Sequence, residues 1–285
     1  MFKKIFVEIT NRCNLACDFC PATNRTKSDI APEVFAALLP QLTPFTKHLA
    51  LHVLGEPLLH PDLPQLLALC HQQGMQVNLT TNGTLLPRQA QMLLAAPALR
   101  QINISLHSTS GRSCGDPAGY LTGVLAFASL AAVRGVFVSL RIWDLPPTQL
   151  QNGIRWQDEV LTRLEGFFAI SAPLSDVVAA GQGVKLADRI FLSQKDLFAW
   201  PSLSAPDLGG RGTCRGLRDQ VAILVDGTVV PCCLDGEGNI PLGNVFAEPF
   251  AEIIAGERVA RIRRGFQERK LVEELCRRCS YRQRF

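Results

Sequence analysis

Residues 4–20 read KIFVEITNRCNLACDFC, and this stretch decides the fold. Lys4 to Ile9 is dominated by branched and aromatic residues and reads as a first strand. Directly after it, Cys13, Cys17 and Cys20 place three thiols on one short loop. Outward from there the strand–loop–helix unit repeats. Pro32 to Leu42 reads as a helix, Leu49 to Leu54 as a second strand, and Asp62 to Gln73 as a helix that Gly74 ends. Gln76 to Thr80 follows as a third strand, Pro87 to Leu94 as a helix, and Ile102 to Leu106 as a fourth strand. A helix around Leu121 to Val133 precedes a fifth strand, Val136 to Ile142. Strands spaced by single helices predict a parallel sheet with right-handed crossovers, either open or a partial α/β barrel. Small and polar groups gather after the strands, at Gly55-Glu56-Pro57, Thr81-Asn82-Gly83 and His107 to Ser110. That is where α/β folds build their sites.

From about Asp144 to Leu208 the pattern loosens under five prolines, with Ala187 to Leu192 read as a sixth strand. Val221 to Val225 and Thr228 to Cys232, joined by Asp226-Gly227, read as a β-hairpin. A single helix from Phe250 to about Arg264 and a short one before Cys276 complete the expected elements.

The chain has 285 residues, 47% hydrophobic and 19% charged, which excludes disordered, collagen-like and coiled-coil classes. A net charge of +4 is too mild to mark a nucleic-acid binder. The amino terminus lacks the apolar stretch of a secretory signal, and no apolar run is long enough to span a membrane. A cytoplasmic protein is expected, without membrane association. Its ten cysteines then point to metal ligation or catalysis rather than to a disulfide framework. They are grouped: three near the start, five in the last quarter, and only Cys70 and Cys114 between.

The motif CNLACDFC, with Gly55-Glu56-Pro57 after the second strand, resembles the radical S-adenosylmethionine (SAM) superfamily. Cys13, Cys17 and Cys20 match its CxxxCxxC, with Phe19 as the aromatic residue before the last cysteine. The resemblance implies a partial (β/α)6 barrel whose three cysteines hold a 4Fe-4S cluster, the fourth iron being left for SAM. A zinc loop that borrows a further thiol is the alternative. The resemblance further implies that Gly55, Glu56 and Pro57 contact the cofactor, Glu56 receiving the methionine amino group. Glu56 could instead cap the next helix. Asn82, Ser105 (with His107 near it) and Arg141 are further cofactor-binding candidates. The TNG sequence is equally a plain turn signal, and Arg141 equally a salt-bridge residue.

Cys214, Cys232, Cys276 and Cys279 supply four more thiols. The G-x4-C hairpin from Gly227 to Cys232, an upstream cysteine and a downstream CxxC resemble the SPASM extension or its shortened twitch form. The spacing is similar to that of 2-deoxy-scyllo-inosamine dehydrogenase-like members, which carry one auxiliary 4Fe-4S cluster. A structural zinc site fits the same spacing. Strand neighbours point to opposite faces, so Cys232 is taken as the ligand and Cys233 as a core thiol, an alternative ligand or a hydrogen donor. Cys114, in the loop after the fourth strand, is a second donor candidate, and Cys70 is expected in the core. The expected division is 1–208 for the barrel and 209–285 for the auxiliary-cluster region.

The resemblance implies reductive cleavage of SAM to a 5′-deoxyadenosyl radical and hydrogen abstraction from a small-molecule or peptide substrate. A fully thiolate-ligated auxiliary cluster favours net oxidation; epimerisation, with Cys114 or Cys233 returning hydrogen, is the rival. An electron donor such as flavodoxin or ferredoxin is implied. An RNA-modifying or maturase activity, and a metal-binding scaffold or redox sensor without turnover, are the alternatives. Ten Lys and Arg against four Glu from Glu257 to Phe285 could steer an acidic partner or form a solvated helix face and tail. No RNA-binding motif accompanies them, so nucleic acid is not expected. Trp143, Asp144, Asp196 and Trp200 could lie near a substrate, or serve packing.

Overall fold

The computed structural model describes residues 1–21, 23–109, 116–144, 150–151, 154–179 and 183–284. In chain order its elements are β1 (Lys4–Val7), α1 (Pro32–Leu42), β2 (His48–Ala50), α2 (Leu63–Gln72), β3 (Gln76–Thr81) and α3 (Leu86–Ala95). There follow β4 (Leu99–Ser105), α4 (Pro117–Val133), β5 (Phe137–Asp144), β6 (Leu150–Gln151), β7 (Ile154–Arg155), α5 (Trp156–Phe168) and α6 (Leu174–Ala179). The last are β8 (Val184–Ala187), β9 (Ile190–Asp196), β10 (Gln220–Ile223), β11 (Thr228–Val230), β12 (Gly243–Asn244), α7 (Phe250–Ala255), α8 (Glu257–Gln267) and α9 (Glu274–Arg277). The chain divides into two compact units, the first of Met1–Val77 with Phe198–Phe285 and the second of Asn78–Leu197.

The α/β class is as expected. In the first unit the strand order is β12-β11-β10-β1-β2, with β1 parallel to both its neighbours and β10–β11–β12 antiparallel. Helix α1 forms because Phe35, Leu38, Leu39 and Leu42 fall on one face, all buried. On α2, Leu63, Leu66, Leu67 and Cys70 do the same. Cys70 is a core thiol whose burial pushes it up to about 12. Gly74 ends that helix at φ +66, its N–H bonding the carbonyl of His71 while Met75 bonds that of Cys70. Gly227 closes the β10–β11 hairpin at φ +86.

In the second unit β4–β5 and β5–β9 are parallel and β8–β9 antiparallel. The segment read as irregular holds more order than its sequence suggested. Helix α5 buries Trp156, Val160, Leu161 and Leu164, and the Trp156 indole N–H donates to the carbonyl of Leu106 at 2.8 Å. Ala187 to Leu192 is not one strand: it contains the β8–β9 turn, and the strand parallel to β5 is Ile190–Asp196. The second strand is also shorter than expected and ends at Ala50. The expected helix from Phe250 to Arg264 is two, because Gly256 between α7 and α8 has an extended ψ of 155°. Among the described residues no helix is long and apolar enough to cross a membrane.

Candidate metal centres

Cys13, Cys17 and Cys20 occupy one loop whose base is zipped shut. Thr10 pairs with Asp29 as an isolated bridge, and its hydroxyl donates to the Asp29 carboxylate at 2.5 Å. Asn11 is fully buried: its amide donates to the Thr26 carbonyl and its Oδ1 accepts from Ser28 N–H, each at 2.9 Å. Arg12 reaches Asp29 at 3.0 Å and the Lys27 carbonyl at 3.0 Å. Residues 10–12 and 26–29 thus form a stem, and the thiols sit on what it encloses.

The Gly55-Glu56-Pro57 segment braces that stem. Glu56 N–H donates to the Arg12 carbonyl at 2.7 Å. Gly55 has φ +77, and a Cβ there would lie 2.5 Å from the Thr10 carbonyl oxygen and 2.8 Å from that of Arg12. Only glycine fits such an approach of two backbones. The Glu56 side chain is buried and accepts Leu58 N–H at 3.0 Å, capping the short 3-10 turn Pro57–Leu59.

A buried carboxylate outside every motif joins these parts. Glu8, fully buried just after β1, accepts Arg25 Nη2 at 2.7 Å and Leu54 N–H at 3.1 Å on Oε1. Its Oε2 accepts Val225 N–H at 3.0 Å. Arg25 belongs to the arm after the thiols, Leu54 precedes Gly55, and Val225 follows β10. Burial opposes the Arg25 charge, but the Glu8 bond and the carboxylates of Glu8, Asp226 and Glu237 hold its pKa above the ordinary value. In sequence Glu8 shows only as an acid interrupting an apolar strand.

Within the loop, Cys20 N–H bonds the Cys17 carbonyl at 3.0 Å, and Leu15 N–H approaches Cys13 Sγ at 3.5 Å. The Cys20 thiol is pushed up to about 11 by loss of hydration and by Cys13 beside it, against the pull of Lys27. Two thiols that repel one another as thiolates suit a cationic iron cluster, so the loop fits the implied group.

The second set is gathered more tightly. Cys214, Cys232, Cys276 and Cys279 all line one cavity of about 40 Å³, together with Asp235, Tyr281 and Arg282. Cys232 lies just past β11, Cys276 on α9 and Cys279 just after it. Burial raises all four thiols; Cys232 stands well above its usual value, with Cys233, Cys214 and Cys276 adding to the effect. Desolvation by itself keeps these thiols neutral, whereas a cationic metal core would hold them as thiolates, and four sulfurs converging on one cavity fit such a group. Gly216 N–H approaches Cys214 Sγ at 3.4 Å, and a Cβ on Gly216 would crowd the Pro231 carbonyl at 3.1 Å. Among the described residues no group of three His, Cys, Asp or Glu closes onto a single-ion position.

Cys233 leaves that cavity and packs against the core cluster of Phe6, Ala50, Val53, Leu54, Ala222, Leu224 and Val230, where Trp200 also packs. Cys114 lies outside the described residues. The basic carboxyl-terminal stretch is largely consumed within the unit. Arg258 grips Glu273 at 3.0 and 2.7 Å, Arg261 adds a bond to it at 3.1 Å, and Arg263 donates to the Leu217 carbonyl. Arg277 pairs with Asp207 and Arg278 with Glu274.

Asn82, Ser105 and Arg141 belong to the second unit. Ser105 and Arg141 are register partners on β4 and β5. Asn82 Oδ1 accepts the N–H and hydroxyl of Thr84, and Gly83 has φ +81, so this segment is built as a turn. His107 is buried, its Nδ1 donates to the Arg141 carbonyl at 3.2 Å, and its ring stacks on Trp143 at 4.2 Å. Burial, helped by the Arg141 charge, lowers its pKa to about 4 against the carbonyl bond, so the ring is neutral at pH 7.

Two family models match the chain: the radical SAM superfamily over residues 7–146 and the SPASM iron–sulfur cluster-binding domain over residues 214–280. The chain is 34% identical over 101 residues to the Fe-coproporphyrin III synthase of Methanosarcina barkeri, covering 34% of this chain and 25% of that protein. It is 31% identical over 144 residues to the PqqA peptide cyclase of Xanthomonas campestris pv. campestris, covering 48% and 38%. It thus spans less than half the length of these curated relatives. The crystal structure of BtrN in complex with AdoMet and 2-DOIA has a similar fold, with a TM-score of 0.58 at 16% identity over 98% of this chain and 93% of that one. The two matched domains imply a SAM-binding 4Fe-4S cluster and auxiliary iron–sulfur binding, and they coincide with the two thiol sets. The chain belongs to the radical SAM superfamily and carries a SPASM-type iron–sulfur cluster-binding domain.

Proposed function

We propose that the protein is a radical SAM oxidoreductase with one auxiliary 4Fe-4S cluster, acting on a small molecule or a peptide. The observation that carries this reading is the convergence of Cys214, Cys232, Cys276 and Cys279 on one cavity. Four thiolates saturate a four-iron cluster, leaving no iron for substrate, and its use is then to exchange electrons. When bound, the first cluster with SAM supplies one-electron cleavage and hydrogen abstraction, and the auxiliary cluster supplies an acceptor for the electron left on the substrate.

The chain's own residues have defined parts in this reading. Cys13, Cys17 and Cys20 hold the first cluster, and the Thr10–Arg12 stem fixes where their sulfurs lie. Gly55 and Glu56 brace that stem, and the Glu56 carboxylate, which also caps the turn Pro57–Leu59, would receive the SAM amino group, with Pro57 beside it. Asn82, Ser105 and Arg141 are cofactor-binding residues of the second unit, Arg141 suiting a carboxylate through its planar fork. His107, held neutral, can orient a neighbour by hydrogen bonding without adding charge. The functional boundary lies at 208/209, ahead of Cys214. A flavodoxin- or ferredoxin-like protein is the electron donor.

Epimerisation requires a thiol that returns hydrogen. Cys233 packs against the core, which weighs against it as that donor and leaves Cys114 as the candidate for the epimerisation route. The internal pairing of Arg258, Arg261, Arg277 and Arg278 favours a small-molecule or peptide substrate over RNA. The PqqA peptide cyclase relative and the BtrN complex with 2-DOIA keep both substrate classes open.

Anaerobic reconstitution with iron and sulfide counting tests the proposal. The wild-type chain is expected to hold about eight irons and the Cys13/Cys17/Cys20→Ala variant about four. Reduction with SAM should give 5′-deoxyadenosine in the wild type alone. About four irons plus one zinc in the wild type would remove the auxiliary electron acceptor and, with it, the argument for oxidation.

A further inference from the structure

We propose that Arg282 is the buried counter-charge of the group held by Cys214, Cys232, Cys276 and Cys279, and that it sets how readily this group accepts an electron. The inference rests on the auxiliary-cluster reading above. Arg282 is only 9% exposed and lines the cavity of the four thiols. Its Nη2 donates to the carbonyls of Leu208 at 2.6 Å and Gly209 at 2.9 Å, and its Nη1 to that of Arg211 at 2.5 Å. Its Nε is buried and has no hydrogen-bond partner.

What sets Arg282 apart from the other arginines of residues 257–284 is burial without a paired acid. Arg258 and Arg261 have Glu273, Arg277 has Asp207 and Arg278 has Glu274. Among the described residues no carboxylate pairs with Arg282. Carbonyl dipoles hold its Nη1 and Nη2 groups but do not balance its charge, and an unbalanced buried cation is costly. The candidate anion is beside it. Cys214, Cys232, Cys276 and Cys279 line the same cavity as Arg282.

Four thiolates on a 4Fe-4S core carry net negative charge, and one-electron reduction adds another unit. A fixed cation in the wall of the same cavity stabilises the reduced form over the oxidised one and raises the potential. Arg282 thus adjusts the acceptor toward taking an electron from a substrate radical. It is a positioning and tuning residue and need not touch substrate.

The test uses the full chain with Cys13, Cys17 and Cys20 replaced by alanine, so that the auxiliary cluster alone gives the signal. Potential is read by redox titration followed by electron paramagnetic resonance, with iron and sulfide counted on the same sample. Arg282→Gln is expected to keep its iron and to shift the reduction equilibrium at least tenfold toward the oxidised form, about 59 mV lower for one electron. Arg282→Lys, which keeps the charge, is expected to stay near the parent. An unchanged potential in Arg282→Gln with the cluster retained overturns the proposal. If Arg282→Gln loses its cluster, Arg282→Lys decides: a retained cluster at the parent potential supports the charge role. Loss in both variants overturns it and leaves Arg282 as a tie for residues 208–211. Zinc without sulfide in the parent chain is a different failure, that of the auxiliary-cluster reading, and it is visible before Arg282 is touched.

Discussion

Replacing Glu8 by glutamine should destabilise the first unit far more than the loss of one ion pair at the surface. The glutamine has the same shape but one acceptor oxygen in place of two. If that oxygen keeps Arg25 and Leu54, the new amide nitrogen meets Val225 N–H donor to donor. One buried N–H left unsatisfied costs about 1–3 kcal/mol. The Arg25 side chain, 13% exposed, also loses its fully buried partner. Breaking a buried pair at one end costs about 3–5 kcal/mol, and the two penalties overlap because they share one carboxylate. The expected loss is therefore about 3–5 kcal/mol, a large part of the 5–15 kcal/mol typical of a domain. The assay is urea denaturation of the reduced chain, together with amide hydrogen exchange at Leu54 and Val225, whose N–H groups lose order with the carboxylate. Lys3→Met is the internal control, since the Lys3–Asp219 pair is solvent-exposed on the lysine side and should contribute less than about 1 kcal/mol. A Glu8→Gln effect no larger than the control, with Leu54 and Val225 still protected, would refute the claim that Glu8 ties the thiol loop's arm to the strand ends.

Gly55→Ala asks for a left-handed alanine whose Cβ sits 2.5 Å from the Thr10 carbonyl oxygen, so the stem under the thiols has to move. Reconstituted protein should lose about four of its irons, the first cluster's share, while the auxiliary share remains; a full iron complement would show that the brace is dispensable. His107 gives a pH dependence of fixed sign. With its folded value lowered to about 4 from 6.5, its contribution is complete above pH 6.5 and is lost as pH falls toward 4. The difference is about 3 kcal/mol at most. Denaturation midpoints of wild type and His107→Asn should therefore converge on acidification from pH 7 to 4.5; parallel curves would rule out a buried neutral ring.

Much of the fold could be read from the sequence. Hydrophobic period located α1 and α2 within a residue, because Phe35-Leu38-Leu39-Leu42 and Leu63-Leu66-Leu67-Cys70 each make one face from local spacing alone. It failed between Asp144 and Leu208. There Asp188-Arg189 form a turn between two short apolar runs that read together as one strand, and α5 starts at Trp156 after a proline-rich approach. At Gly256 an apolar pattern continues across a break that only the backbone reveals.

The sequence by itself determined the family and the two sets of thiols, because CxxxCxxC and CxxC are local spacings that survive without any fold. It favoured Cys232 over Cys233 for the cavity, but did not show that Trp200 and Cys233 share a core cluster. The tertiary structure decided what holds those thiols in place. Glu8 meets Val225 across 217 positions, and Arg282 meets the carbonyl of Leu208 across 74. A buried charge is defined by what surrounds it, and at such separations the surroundings exist only once the chain has folded.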